Sequence, residues 1–122
     1  AKNVVKENSY LPESGSGLYS ASARRLNFKN LKIGTRVHVV YKIHVETLSP
    51  NTEIWMRTWF PQTKKEHVTF VANPKYSHSY SFDVAHSFVI DSEADKISGA
   101  CPEILTDMSS LASIESITIS VS

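Results

Sequence analysis

Cysteine is almost absent from this 122-residue chain. The single Cys101 leaves neither a disulfide framework nor a cysteine-based zinc cluster to be built. Glycine is scarce as well: only Gly34 and Gly99 occur after residue 17, so a phosphate-cradling glycine loop has no material. No stretch approaches the roughly 18 consecutive apolar residues that a membrane-crossing helix needs. Neither sign of charge dominates, because thirteen Lys+Arg stand against twelve Asp+Glu for a net charge of +1. A nucleic-acid partner that relies on a strong positive field is therefore not expected, nor is membrane insertion. Catalytic signatures are missing too: there is no Gly-x-Ser-x-Gly and no His-Glu-x-x-His. The expectation is a protein that is not an enzyme.

Metal chemistry is equally short of donors. His38 and His44 share a strand face but sit six residues apart, about 20 Å along it, and cannot hold one ion together. His67, His78 and His86 have no ligand spacing. Asp91, Glu93 and Asp95 alternate as in a calcium loop, but Lys96 occupies the position where that loop needs glycine. The run reads as a solvated acidic turn, and neither metal nor cofactor is expected. Cys101 reads as a small, buried apolar residue.

What the chain does have is 41% hydrophobic residues, enough for one core in one domain. Residues 1–17 carry Pro12, Gly15, Gly17 and several serines without an apolar period, and read as a leader or linker. Within them, Leu11-Pro12-Glu13-Ser14-Gly15 is like a sortase-type signal but is followed by a whole domain. Only Val4, Val5, Tyr10 and Leu11 are apolar enough to dock on that domain.

Residues 18–122 read as a β domain. Thr35 to Thr47 places Val37, Val39, Tyr41, Ile43 and Val45 on one face, with Val40 the exception on the other. A period of two over this length marks a half-buried strand. Glu53 to Phe60 gives Ile54, Met56, Thr58 and Phe60 to one face and Trp55, Arg57 and Trp59 to the other. Glu66 to Ala72, Tyr76 to Val84 and Ile114 to Val121 follow the same rule, with Ile117, Ile119 and Val121 inward in the last. Pro102, Ile104, Leu105, Met108 and Leu111 recur at helical spacing, which predicts one short helix over 102–111. About seven or eight short strands with a turn roughly every ten residues predict an antiparallel β-sandwich of jelly-roll type.

Two constellations are candidates for ligand binding. Trp55, Arg57 and Trp59 lie about 6.5–7 Å apart in succession on one strand face. Indoles in a row receive the apolar face of a sugar ring, while a guanidinium stacks on them or bonds hydroxyls. The plainer reading makes this face a second packing surface of the strand. Tyr76, His78 and Tyr80 each offer a ring with a polar tip, as glycan and peptide clefts do. Their plainer reading is the rim of the core face that continues through Phe82 and Val84.

The run Leu26-x-Phe28-x-x-Leu31-x-x-Gly34-Thr35-x-Val37-x-Val39-x-Tyr41-x-Ile43-x-Val45 resembles the first core strands of jelly-roll carbohydrate-binding modules. The closing Ile114-Glu115-Ser116-Ile117-Thr118-Ile119-Ser120-Val121 is similar to their last strand, although Glu115-Ser116 stands where members often carry an Asp pair. Modules of this kind also occur in bacteriophage tail and fibre proteins. The resemblance implies non-catalytic binding of a glycan or cell-surface receptor, in an extracellular setting or on a particle surface. The alternative is a structural module of a virion, phage tail or pilus, with protein partners or copies of itself on its exposed aromatics.

Overall fold

The computed structural model describes residues 3–5, 18–20 and 23–122. In chain order the elements are β1 (Asn3–Val5), β2 (Tyr19–Ser20), β3 (Arg25–Leu26), β4 (Arg36–Thr47), β5 (Ile54–Phe60), β6 (Lys65–Ala72), β7 (Ser79–Val89), α1 (Glu93–Ser98), β8 (Cys101–Thr106) and β9 (Ser110–Val121). The strands form a four-stranded sheet in the order β1-β8-β5-β6, a three-stranded sheet in the order β7-β4-β9, and a small β2-β3 pair. All pairings are antiparallel. The two larger sheets pack against each other in a sandwich-like, all-β arrangement. From β4 onward only the β5–β6 hairpin stays within one sheet; the other connections cross between sheets.

The strongest alternation becomes the central strand of its sheet. Val37, Val39, Tyr41, Ile43 and Val45 of β4 are fully buried, and Ile54, Met56 and Phe60 of β5 meet them from the opposite sheet. Leu26 and Phe28 close one end of this core, with Leu31 packed against it, while Ile33 stays exposed. Within the predicted 1–17 leader, Asn3–Val5 pairs with Ile104–Thr106 as β1; residues 6–17, including the Leu11–Gly15 pentapeptide, lie outside the described residues.

Bulges decide which side chains face inward near two strand ends. Between Ile54 and Trp55 the β6 register shifts by one, from Ala72 to Phe70. Ala72 therefore sits opposite inward-facing Ile54, whereas Phe70 and Val68 sit opposite Trp55 and Arg57 on the outer side. In β9 the shift falls at Glu115, so Ala112 and Ile114 are inward before it and Ile117 and Ile119 after it. Val121, expected inward, is exposed at the strand end.

The predicted helix over 102–111 is corrected. Those residues form β8, a turn and the start of β9. Ile104, Leu105 and Thr106 are all buried because β8 lies between β1 and β5, and a short apolar run buried on both faces imitates helical spacing. Pro102 is accommodated because it falls between the Leu26–Ala100 bridge and the β1 pairing at Ile104, where a missing N–H breaks no described ladder bond on that edge. The helix present, α1, lies earlier, in the acidic run. Ser92 caps it by accepting from the Asp95 amide, and Gly99 ends it at φ 74° with its N–H on the Asp95 carbonyl. A Cβ at Gly99 would meet the Leu26 carbonyl oxygen at 2.1 Å, so glycine is required for the close approach to β3.

Candidate functional site

Because Ile54, Met56, Thr58 and Phe60 fill the core, β5 turns Trp55, Arg57 and Trp59 to the outer face of the four-stranded sheet, where all three are half-buried. Cross-strand neighbours widen this row. On β6 they are Phe70, Val68 and Glu66, and on β8 Leu105, Glu103 and Cys101, opposite Trp55, Arg57 and Trp59 in that order. Phe70 is 54% exposed and meets the Trp55 ring edge-on at 5.7 Å.

Arg57 is the electrostatic centre of the face. Its Nε donates to Glu103 Oε1 at 2.8 Å, its Nη2 donates to the same oxygen, and its Nη1 donates to Glu66 Oε2 at 3.2 Å. The guanidinium carbon stands 4.8 Å from the centre of the Trp59 ring, a cation–π contact. Burial works against the charge, but the bonds and charges of Glu103 and then Glu66 outweigh it and hold the guanidinium pKa above its ordinary value. Opposite Trp59, burial pushes the Cys101 thiol up, away from a reactive thiolate.

The second constellation gathers elsewhere. Tyr76 and His78 belong to the β6–β7 connection and Tyr80 to β7, so the three do not lie on one strand as the alternation predicts. They still touch. Tyr80 Oη donates to the Tyr76 carbonyl at 2.8 Å, the His78 and Tyr80 rings meet edge-on at 5.8 Å, and Tyr80 stacks on Phe82. Thr47 ties this connection to the end of β4: its N–H donates to the His78 carbonyl at 2.9 Å, and Ser77 Oγ donates to the Thr47 carbonyl at 2.6 Å. Tyr76 is 75% exposed. Tyr80 and the row of Trp55, Arg57 and Trp59 belong to different sheets.

Sequence reasoning missed the polar chain that stitches the two sheets. Tyr41 Oη lies 2.7 Å from Thr58 Oγ1, Thr58 Oγ1 lies 2.7 Å from His86 Nδ1, and His86 Nε2 lies 2.9 Å from Thr69 Oγ1. The chain alternates between sheets at every step, from β4 to β5 to β7 to β6. Tyr41 is fully buried and Thr58 is its only described side-chain partner, so Tyr41 donates to Thr58, Thr58 donates to Nδ1, and the neutral imidazole carries its hydrogen on Nε2. Burial, with His67 adding to it, lowers the His86 pKa to about 4. Burial and then Lys65 lower His67, whose ring lies 6.5 Å from that of His86.

The acidic run is also structural. Lys65 Nζ bonds Asp91 Oδ1 at 2.7 Å and Asp95 Oδ2 at 2.8 Å, and Thr63 Oγ1 donates to buried Asp95 at 2.6 Å. Among the described residues no group of three or more His, Cys, Asp or Glu side chains is arranged to hold a metal ion, and no helix is long and apolar enough to cross a membrane. No family model, curated protein or solved structure matches this chain.

Proposed function

We propose that this domain is a non-catalytic binding module of jelly-roll type that recognises a glycan, free or on a cell-surface receptor, through the outer face of its four-stranded sheet. The observation that carries the reading is the half-buried Trp55–Arg57–Trp59 row on a strand whose opposite side already fills the core. Indoles held on a flat sheet offer the apolar stacking surface that sugar rings need, and the carboxylates beside them offer acceptors for hydroxyl groups. The β1-β8-β5-β6 order and the crossing connections support the jelly-roll assignment. Tyr76, His78 and Tyr80 form a separate aromatic patch for a further contact. Sites of this kind are weak singly and gain from display in several copies, which fits an extracellular or particle-surface setting.

A second reading, assembly with protein partners or copies of the chain, draws on Phe70 and Val68. Both are exposed on β6, an edge strand beside Trp55. A glycan array probed with the wild-type protein, Trp55→Ala and Trp59→Ala separates the two. Glycan signals that fall about tenfold or more in both variants support the binding module. An array without hits, together with a wild-type oligomer that Trp59→Ala dissociates, overturns it in favour of assembly.

A further inference from the structure

The outer face of the four-stranded sheet continues past β8 onto β3. Leu26 bridges Ala100, its N–H donating to the Ala100 carbonyl at 2.7 Å and its carbonyl accepting from the Ala100 N–H at 3.2 Å. Both residues are fully buried, so by alternation their neighbours Arg25 and Cys101 face outward. Arg25 lies against the Cys101 thiol, whose pKa it works to lower, and Cys101 is opposite Trp59. Arg25 thus stands two strands from Trp59, about 10 Å at ordinary strand spacing. With Arg25 counted, this face carries two guanidiniums and two carboxylates, but Arg57 takes both Glu66 and Glu103. Among the described residues Arg25 has no ion-pair partner.

Arg25 also lines a cleft of about 330 Å³ between the β2–β3 segment and the end of α1. Lys29, Asn27, Ser98 and Ile97 line it too. Its described lining holds the two cations Arg25 and Lys29 and no acidic side chain, and Lys29 likewise has no ion-pair partner among the described residues. Local structure fixes this shape. Gly99 lets α1 end against β3, where a Cβ would meet the Leu26 carbonyl oxygen. Asn27 Oδ1 accepts from the Lys29 N–H at 3.2 Å and sets the turn that carries Lys29. Arg25 Nη1 donates to the Ser98 carbonyl at 3.1 Å, which holds the guanidinium in the wall and covers an oxygen that would repel an anion. Ile97, 64% exposed, adds an apolar side. The volume lies at the small end of ligand sites, about 300–1,000 Å³.

We infer, on the glycan reading above, that this cleft is an anion subsite: it takes the carboxylate or sulfate of an acidic sugar, paired with Arg25 and Lys29, while a neighbouring ring of the same oligosaccharide lies on Trp59. A guanidinium presents a planar fork of N–H donors that matches such an oxyanion, and an ammonium adds a second, mobile charge. A neutral sugar in the same place would leave both cations without a counter-charge. The separation of about 10 Å from Trp59 calls for an oligosaccharide rather than a single ring. The division of labour follows from the pairing already present. Arg57, closed off by its two carboxylates, supports the Trp59 indole, and Arg25, free of carboxylates, meets the ligand's charge.

The test is an array of matched glycans, each printed in neutral, carboxylated and sulfated form, probed with wild-type protein, Arg25→Gln, Lys29→Gln and Lys42→Gln. Wild-type protein is expected to bind one acidic form at least about tenfold better than its neutral partner, and which form it is distinguishes carboxylate from sulfate. Arg25→Gln and Lys29→Gln are each expected to narrow that ratio several-fold with an unchanged circular-dichroism spectrum. Lys29→Gln, at an exposed position, is the arm that folds if the loss of the Ser98 bond unfolds Arg25→Gln. Lys42→Gln removes the same charge from the other sheet and is expected to leave the ratio as in the wild type. Neutral glycans bound as well as acidic ones by the wild type overturn the anion subsite and leave the glycan reading standing. An acidic preference that Lys29→Gln does not narrow, or that Lys42→Gln narrows equally, overturns the assignment to this cleft. An array with no hit in any form overturns the glycan reading and this inference with it.

Discussion

The two sheets present opposite characters on their outer faces, although the same rule of alternation builds both. The outer face of the three-stranded sheet carries Arg36, His38, Lys42, His44 and Glu46 along β4. Ser79, Ser81, Asp83 and Ser87 flank them on β7, and Ser113, Ser116, Thr118 and Ser120 on β9, with Val40, Ala85, Val89 and Leu111 the apolar members of this mostly polar face. Its contacts are sparse, such as Arg36 Nη1 to Ser87 Oγ at 3.5 Å and His44 Nδ1 to Glu115 at 3.7 Å. The outer face of the four-stranded sheet carries two indoles, an exposed phenylalanine and a guanidinium held by two carboxylates. Short polar side chains suffice where a sheet only has to face water. An aromatic face with its charges already paired is what a sheet needs for contact with something other than water.

The inner faces should show no such asymmetry, and this is the largest effect expected. Ile43 of β4 and Ile54 of β5 are both fully buried in the shared core. Ile43→Ala and Ile54→Ala should each cost about 2–5 kcal/mol in urea denaturation, with unchanged slopes. A cost for Ile54→Ala several-fold below that for Ile43→Ala would mean that the aromatic sheet is not half of one core, and the comparison of outer faces would lose its footing.

Next in size is the response to acid of the stitch between the sheets. The His86 pKa is about 4 in the folded chain and about 6.5 when unfolded. As pH falls, the unfolded chain takes up the proton first. Stability is therefore flat above pH 6.5, declines between about 6.5 and 4, and levels off below. The total loss from this group is about 3 kcal/mol. His67, lowered by burial and then by Lys65, adds loss in the same direction. Protonation at Nδ1 also turns one bond around, since Thr58 must then accept from His86 and its own hydroxyl hydrogen loses its acceptor. Thermal melts of the wild type and His86→Gln at pH 7 and pH 4.5 check this. The wild type should lose clearly more stability on acidification than the variant, and equal losses would remove His86 as the cause.

How much of this was legible in the sequence follows from how local each signal is. The β4 face was readable because one side is wholly buried and the alternation runs unbroken through Val37–Val45. The outward turn of Trp55, Arg57 and Trp59 was readable for the same reason, from the apolar residues between them. The partners of Arg57 were not readable, because Glu103 is 46 residues away and is set opposite by register alone. The sides taken by Phe70 and Ala72 depend on a bulge that no pattern of two announces. In α1, Ser92, the acidic first turn and Gly99 did signal a helix, but six residues with no apolar stripe read as a solvated turn. The 102–111 segment failed in the other direction, since apolar residues buried on both faces of β8 fit helical and extended periods alike.

The smallest effects sharpen the contrast between the faces themselves. Arg57→Met leaves Glu66 and Glu103 without their cation and removes the support of the Trp59 ring, so it should cost about 1–2 kcal/mol. On the polar face, Glu115→Gln removes only a 3.7 Å contact to His44 between two well-exposed side chains, and should stay within about 0.5 kcal/mol of wild type. Urea denaturation of both variants at low and high salt measures the difference. The Glu115 effect, if any, should vanish in 1 M salt, where the screening length is about 3 Å. The Arg57 effect should persist, because its bonds are short, shielded and coupled to an indole. If the two variants proved equal in size and equally sensitive to salt, the Arg57 cluster would be one more solvated surface pair, and the aromatic face would owe its order to packing alone.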